Sequence, residues 1–423
     1  MKEYVDPVME ELGIYWDDKT EAIIIEKAKP AERPVIVMQT EDDGYLPVLK
    51  NEVLEEGTKE TEEEKIWDDD NKIYSLNGSL EDEISLVFAG DICFHDAYSN
   101  MGALRERGNG IYDCILPEVM EELKKADIFM VNNEFPYSDR GTPLEGKQYA
   151  FRSKPSNVNL LHDMGVDIVS LANNHAYDHG PDALIDTIDI LKNAGIPFVG
   201  AGKNIDEAVK PVYFKINGFT LAYTAATQIE RVGNPDTKEA TADSPGVLRT
   251  LDPSKYIGVI QEADANSDFC IAYVHWGSEN TDLVEQSQKE LAMKFAAAGA
   301  DLIIGDHSHC LQGFDYVDGV PVLYSLGNFW FNSKTVDTGF LRVVLDNTCN
   351  ISSLQFIPCV QENCKTRIAE EEKKISIINY MRGISGYAQI DENGFVIYSS
   401  ENHNIQNGKN TSPSAKKEEV VVE

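Results

Sequence analysis

An α/β domain built on a buried, largely parallel or mixed sheet is the fold the sequence predicts, and three observations predict it. Short apolar runs of strand length alternate with stretches whose apolar residues recur every three or four positions. Glycines stand just past the ends of those helical stretches. Polar motifs rich in histidine, carboxylate and amide follow the ends of the apolar runs.

The runs Ile84–Ala89, Ile128–Val131, Ile168–Leu171, Pro197–Val199, Phe269–Val274, Leu302–Ile304 and Val322–Tyr324 read as buried strands. Between them, Pro117–Ala126, Val158–Met164, Asp182–Asn193 and Gln286–Ala298 carry helical spacing. Gly165, Gly195 and Gly299 supply the left-handed residue that helix ends favour. Phe340–Leu345, Ser353–Pro358, Tyr387–Ile390 and Phe395–Tyr398 read as further strands, with Glu392-Asn393-Gly394 as a turn. Gly200-Ala201-Gly202 follows a strand but lacks the third glycine of a dinucleotide fingerprint, so it reads as a strand-to-helix turn.

At 423 residues the chain can bury a large core, and its 42% hydrophobic content is ordinary for a globular protein. Its formal charge of −35 is not ordinary. Nucleic acid requires a basic face and is excluded as a partner; anionic lipid surfaces are disfavoured for the same reason. Residues 1–80 read as an acidic N-terminal extension, densest in acid from Glu52 to Asp70. Such a segment buries too little apolar surface to order itself fully, so partial disorder is expected, with short strands near Ala22–Glu26 and Pro34–Met38. Residues 81–346 form the main domain, 347–403 a small appendage of strands and a helix packed on its core, and 404–423 a disordered polar tail. No run of about 18 apolar residues is present, so no transmembrane segment is expected, and no basic-then-apolar leader opens the chain. The seven cysteines are odd in number, lack a CxxC pair and read as small core residues, with Cys359 and Cys364 the pair that export could join.

Of the eight histidines, five fall within a few residues of a strand end. Ile84–Ala89 leads into Gly90-Asp91-Ile92-Cys93-Phe94-His95, and Ile128–Val131 into Asn132-Asn133-Glu134. Ile168–Leu171 leads into Ala172-Asn173-Asn174-His175-Ala176-Tyr177-Asp178-His179-Gly180, and Phe269–Val274 into His275-Trp276-Gly277-Ser278-Glu279. Leu302–Ile304 leads into Gly305-Asp306-His307-Ser308-His309, and Val322–Tyr324 into Ser325-Leu326-Gly327-Asn328. Ligands of open α/β sheets bind outside the carboxyl ends of the strands, so six distant motifs can converge on one crevice. Asp91, Glu134, Asn174, His275, His307 and His309, with His95 beside them, offer oxygen and imidazole donors without an obligatory thiolate. That mixture suits Mn, Fe or Zn with water retained. So many donors exceed the needs of one tetrahedral ion, and two divalent ions a few ångströms apart are expected. His162 and His403 read as ordinary core or surface residues, and Cys93 as packing. A serine hydrolase would want Gly-x-Ser-x-Gly, but Leu323 stands where the first glycine before Ser325 belongs, and no Walker loop exists.

These motifs, in this order, resemble the capsule synthesis (CapA-type, poly-γ-glutamate biosynthesis) family, similar in turn to the calcineurin-like metallophosphoesterase superfamily. The residues that carry the resemblance are Ser170-Leu171-Ala172-Asn173-Asn174-His175 with Asp178 and Gly180, His275-Trp276-Gly277, Tyr324-Ser325-Leu326-Gly327-Asn328-Phe329 and Phe151-Arg152-Ser153-Lys154-Pro155. The resemblance implies a four-layer αββα sandwich of metallophosphoesterase type, two central sheets flanked by helices. It implies that Asp91 is the first metal-binding aspartate, that Glu134 stands where the superfamily has a bridging aspartate, and that Asn174, His275, His307 and His309 are further ligands. It also implies that His175 protonates the leaving group. The first motif departs from the superfamily's: Cys93 occupies the position of a histidine two residues after the aspartate, and His95 lies four after.

The function this implies is a metal-dependent, phosphoesterase-like hydrolase or transferase in the synthesis, export or release of a capsule polymer. Asp178 would orient His175 as general acid. Arg152 would clamp a carboxylate or phosphate, with Glu279 and Asn328 as further substrate-binding residues. The partners implied are an anionic polymer or phosphoester substrate and other capsule synthase subunits. The implied location is outside the cytoplasm, or at the membrane through an anchor not in this chain, with the cytoplasm left open. Two other readings stand beside this one: a phosphoesterase on a small substrate unrelated to capsule, and a non-enzymatic subunit of a synthase complex.

Overall fold

The computed structural model describes residues 67–229 and 237–400, together with the backbone of four short strands ahead of them. Those four pair as two hairpins, Ile14–Asp17 with Ala22–Ile25 and Ile36–Glu41 with Gly44–Leu49. The disorder expected in the rest of the acidic extension up to residue 66, the tail 404–423 and His403 lie outside the described residues.

From β1 (Trp67–Asp68) and β2 (Ile73–Ser75) the chain passes through β3 (Ile84–Ile92), α1 (Pro117–Leu123), β4 (Ile128–Asn133), α2 (Asn159–Met164), β5 (Ile168–Ser170), α3 (Pro181–Asn193) and β6 (Phe198–Val199). A hairpin of β7 (Val212–Ile216) and β8 (Phe219–Thr227) precedes α4 (Ser254–Ala265), β9 (Phe269–His275), α5 (Gln286–Ala298) and β10 (Leu302–Asp306). Then come β11 (Gln312–Val317), β12 (Val320–Ser325), β13 (Asn328–Trp330), β14 (Val336–Leu345), β15 (Ile351–Glu362) and β16 (Lys365–Ile368). Helix α6 (Glu371–Ile384) and a hairpin of β17 (Ala388–Ile390) and β18 (Val396–Tyr398) complete the described chain.

Two eight-stranded sheets result. The first runs β6-β5-β4-β3-β14-β15-β16, with β13 paired beside β3; the second runs β11-β12-β10-β9-β8-β7-β2-β1. Strands β3 to β6 are parallel, as are β8, β9, β10 and β12. Strand alternation sorts the layers. On β9, Phe269, Ile271 and Tyr273 join the core between the sheets, while Cys270, Ala272 and Val274 pack with Tyr256 and Ile260 of α4 and Phe295 of α5. On β3, Leu86 and Phe88 face the inter-sheet core, while Val87 and Ala89 pack with Leu123 of α1, Leu161 of α2 and Ile188 of α3. The order is helices, sheet, sheet, helices: the four-layer sandwich that the resemblance implies. Helix α6 inserts Ile377, Ile378 and Met381 into the same inter-sheet core.

Gly165 and Gly299 cap α2 and α5 in the left-handed conformation, with φ of 78° and 113°. Several strands outrun their apolar cores. The ladder of β3 with β4 continues through Asp91 opposite Asn132, and β10 extends to Asp306. The polar residues of the motifs are therefore partly strand residues, held by sheet hydrogen bonds. All seven cysteines are free thiols and all but Cys310 are buried, so Cys359 and Cys364 are unjoined here.

Candidate metal centre

Sheet register sets the donors side by side. Asp91 lies opposite Asn132 of β4 and Asn328 of β13, and Glu134 follows the end of β4 directly. In the second sheet His275 ends β9 opposite Asp306, the last residue of β10, with His307 and His309 just beyond. Gly90 is required for the approach: a Cβ there would stand 1.9 Å from the Gly327 carbonyl oxygen, the atom that accepts the Asp91 N–H at 2.9 Å. His307 and His309 hold φ of 91° and 55°, a conformation that costs a residue with a Cβ and tends to be kept where side-chain aim matters.

Two groups of donors form, Glu134 with His275 and His307, and Asp91 with Glu134 and His309; within each, the ligating atoms lie within 4.8 Å of one another. Glu134 belongs to both. His275 Nε2 stands 2.8 Å from Asn174 Oδ1, 3.0 Å from His307 Nδ1 and 3.7 Å from Glu134 Oε1. His309 Nδ1 is 3.3 Å from Asp91 Oδ2, and its Nε2 is 4.0 Å from Glu134 Oε1. Donors that share an ion at about 2.1 Å stand roughly 3–4 Å from one another, so these spacings fit.

The charge balance fits as well. Asp91, Glu134 and Asp306 are all fully buried. Both oxygens of Glu134 and Oδ1 of Asp306 have no hydrogen-bond partner among the described residues, a costly state for buried polar atoms. Burial, and then the charges of Asp91, Asp306 and Glu279, push the Glu134 carboxyl well above its ordinary range. Burial and Asp91 do the same to Asp306. Burial, followed by His307, His309 and His175, drives His275 well below its ordinary value, toward the neutral imidazole that a metal requires. Burial also pulls on His309, but Asp91 outweighs it and holds that ring above its usual value. A divalent cation among these groups would satisfy the orphaned oxygens and offset the crowded negative charge.

His175 lies beside the donors, its Nε2 3.8 Å from Glu134 Oε1. Its Nδ1 is 2.7 Å from Asp178 Oδ2, its main-chain N–H donates to Asn173 Oδ1 at 3.0 Å, and its ring stacks on Phe151 with centroids 4.1 Å apart. Burial, more than any charge, lowers its basicity, and the Asp178 carboxylate opposes that shift.

The remaining candidates lie at varying distance. Asn328 accepts at 2.8 Å from His309 Nδ1, if that nitrogen carries the proton, so it orients a donor. Glu279 is exposed at the rim, and its charge acts on both Glu134 and His309. Arg152 is half-buried outside both donor groups; its guanidinium reaches the Arg140 carbonyl at 3.4 Å, and its charge bears on His179. His95 is also outside both groups: its Nδ1 is 3.0 Å from the Arg152 main-chain nitrogen, and its ring lies against Tyr98 and Phe151.

Other residues emerge only from the structure. Asn132 Nδ2 donates to Asp91 Oδ1 at 2.7 Å, while its Oδ1 accepts from Asn173 at 3.0 Å. Tyr273 donates its hydroxyl to Asp306 Oδ2. Lys147 reaches Asp178 from a loop. Asn132 had a sequence signal, as part of a motif at a strand end. Tyr273 in an apolar run and Lys147 in a polar loop had none.

The PGA_cap family, described as bacterial capsule synthesis proteins, matches residues 85–333. The PGA biosynthesis protein CapA of Bacillus subtilis is 30% identical over 267 residues, covering 62% of this chain and 68% of that one. The capsule biosynthesis protein CapA of Bacillus anthracis is 32% identical over 241 residues, covering 54% and 57%. A probable polyglutamine synthesis accessory protein of Mycobacterium tuberculosis is 28% identical over 208 residues, covering 48% and 55%. The matched stretch thus spans between about half and two thirds of these relatives. With the family model matching residues 85–333, more than half of its length, the chain belongs to the bacterial capsule synthesis protein PGA_cap family.

Proposed function

We propose that this chain is a metal-dependent hydrolase or transferase acting in the synthesis, export or release of poly-γ-glutamate or a related anionic capsule polymer. The observation that carries this reading is the buried, unpartnered carboxylate of Glu134 shared by two donor groups. That is the arrangement expected of a site for two divalent ions, Mn, Fe or Zn by donor type. Glu134, Asn174, His275 and His307 would hold one ion, and Asp91, Glu134 and His309 the other. Bound metal would supply an acidified water and polarise the scissile group.

The rest of the chemistry falls to the chain's own side chains. Asp178 accepts His175 Nδ1–H and, against burial, favours the imidazolium, whose Nε2–H faces the centre and passes its proton to the leaving group, the ring ending neutral. Phe151 covers one face of that ring and keeps water from it. Arg152 and Glu279 at the rim would meet the charged ends of a substrate, and Asn328 steadies His309. Other capsule synthase subunits are the proposed partners, and the outer face of the membrane the proposed location. No helix among the described residues is long and apolar enough to cross a membrane.

The test is direct. The full chain is stripped of metal, reloaded with Mn²⁺ and assayed on γ-glutamyl oligomers and on phosphodiesters. Turnover that needs metal and falls by about 10²- to 10⁴-fold in His175→Asn supports the reading. Rapid turnover of phosphodiesters alone would assign it to small phosphoesters, and a chain that neither binds metal nor turns over any substrate would end it.

A further inference from the structure

The loop from Pro136 to Ser153 forms a strap closed at its neck by main-chain bonds, Ser138 N–H to Ser153 O at 3.0 Å and Ser153 N–H to Pro136 O at 2.9 Å. It is fastened to α3 by Tyr137 N–H on Thr187 Oγ1, by Ser138 Oγ on Asp186 and by the surface pair of Arg140 with Asp186. Lys147, near the strap's tip, is not needed for that fastening and is placed unlike a loop lysine. Its side chain is only 6% exposed, and the Asp178 it meets is 0% exposed. Its ammonium donates to two acceptors, Asp178 Oδ1 and the main-chain carbonyl of Asn174.

Those acceptors bracket one turn. At its start, Asn174 aims Oδ1 at His275 Nε2, 2.8 Å away. At its end, Asp178 gives its other oxygen to His175 Nδ1 at 2.7 Å and to the Phe151 N–H at 2.6 Å. We propose that Lys147 is a positioning residue for the metal centre: its buried ammonium rivets the turn from Asn174 to Asp178, so that a metal ligand and the proton donor keep their aim together. This rests on the roles given above to Asn174 and His175. Without the ammonium, a buried carboxylate oxygen and a buried carbonyl lose their shared donor. The Asn174–His175 peptide then keeps its N–H bond to Asn173 Oδ1 but loses the hold on its carbonyl, and Asp178 keeps its Oδ2 bonds but loses the hold on Oδ1, so the aim of both loosens.

The experiment compares Lys147→Met, Lys147→Arg and Arg140→Ala in the full chain. Mn²⁺ affinity is measured by calorimetry on metal-stripped protein, kcat and KM on bis(p-nitrophenyl) phosphate, and fold by near-UV circular dichroism. Lys147→Met should bind Mn²⁺ about 10- to 100-fold more weakly and lose kcat on the same scale with KM unchanged. Lys147→Arg should recover most of both, and Arg140→Ala, which loosens the strap elsewhere, should match the wild type. Wild-type Mn²⁺ affinity in a folded Lys147→Met, or an equal loss in Arg140→Ala, overturns the proposal. If Lys147→Met does not fold, Lys147→Gln against Lys147→Arg decides by the same criteria. If the wild type hydrolyses nothing, the hydrolase reading fails by itself, and Mn²⁺ affinity still decides the role of Lys147.

Discussion

Replacing Glu134 with glutamine changes one atom in a residue that both donor groups share. The carboxylate is fully buried and neither oxygen has a hydrogen-bond partner among the described residues. In the metal-free protein it adds to the crowding of Asp91 and Asp306, which with burial lifts its own pKa. The substitution should therefore leave the metal-free protein as stable as the wild type or more so. With metal the sign reverses. One ion at a free concentration a hundred times its Kd stabilises the folded state by roughly 2.7 kcal/mol, and two independent ions by about 5.4 kcal/mol. At about 2 °C per kcal/mol for a large domain, Mn²⁺ should raise the wild-type Tm by about 10 °C. Glu134→Gln should erase most of that rise and bind neither ion, because each group loses its shared oxygen. His307→Ala and His309→Ala each strike one group, so each should keep one ion and about half the rise. Scanning calorimetry with and without Mn²⁺, and elemental analysis of the dialysed protein, read both quantities. A Glu134→Gln chain that retains two ions and the full rise would refute the shared-carboxylate geometry.

Asp167 gives a pH test away from the centre. Burial raises its pKa from 3.8 to about 7, although Oδ2 accepts the Phe129 N–H at 2.8 Å. The folded state thus holds this proton more tightly, and its contribution to stability falls as pH rises between 3.8 and about 7. Asp167→Asn keeps an acceptor but cannot ionise, so its advantage over the wild type in urea melts should be absent below that window and full above it; a constant difference would show that the group does not titrate there. Gly90→Ala places a Cβ against the Gly327 carbonyl oxygen, 1.9 Å away before relaxation. Overpacking of that kind costs roughly 1–3 kcal/mol or more and should shift Asp91, so both the urea midpoint and Mn²⁺ affinity should fall. An unchanged midpoint would mean that the strand end can move aside.

Much of the sandwich was legible because strands covered on both faces are apolar without interruption. Leu86–Ala89, Phe269–Val274 and Leu302–Ile304 show this, and their helices carry the complementary spacing. Strand β8 was harder to see, since its buried positions after Tyr223 are threonines and alanines, which do not announce a core. Helix α4 was not anticipated, although Tyr256, Ile257, Val259, Ile260 and Ala263 carry helical spacing on its buried face, with Lys255 and Gly258 on the exposed side.

The sequence by itself determined the chemistry on offer. Oxygen and imidazole donors stand at strand ends, where chain direction in a parallel sheet delivers them to one edge, and Asn174-His175 with Asp178 carries a family resemblance that implies a ligand beside an oriented proton donor. Tertiary structure alone decided the grouping. It set Glu134 between two clusters, turned the Nδ1 of His95 to the Arg152 backbone, and brought Lys147 under the Asn174 turn. The physical reason is that the grouping around Glu134 depends on how two sheets face each other across a packed core, and the contacts of His95 and Lys147 on how segments 57 and 27 positions apart fold against one another. Distances of a few ångströms between residues over a hundred positions apart follow from layer packing and register, which no local pattern along the chain encodes.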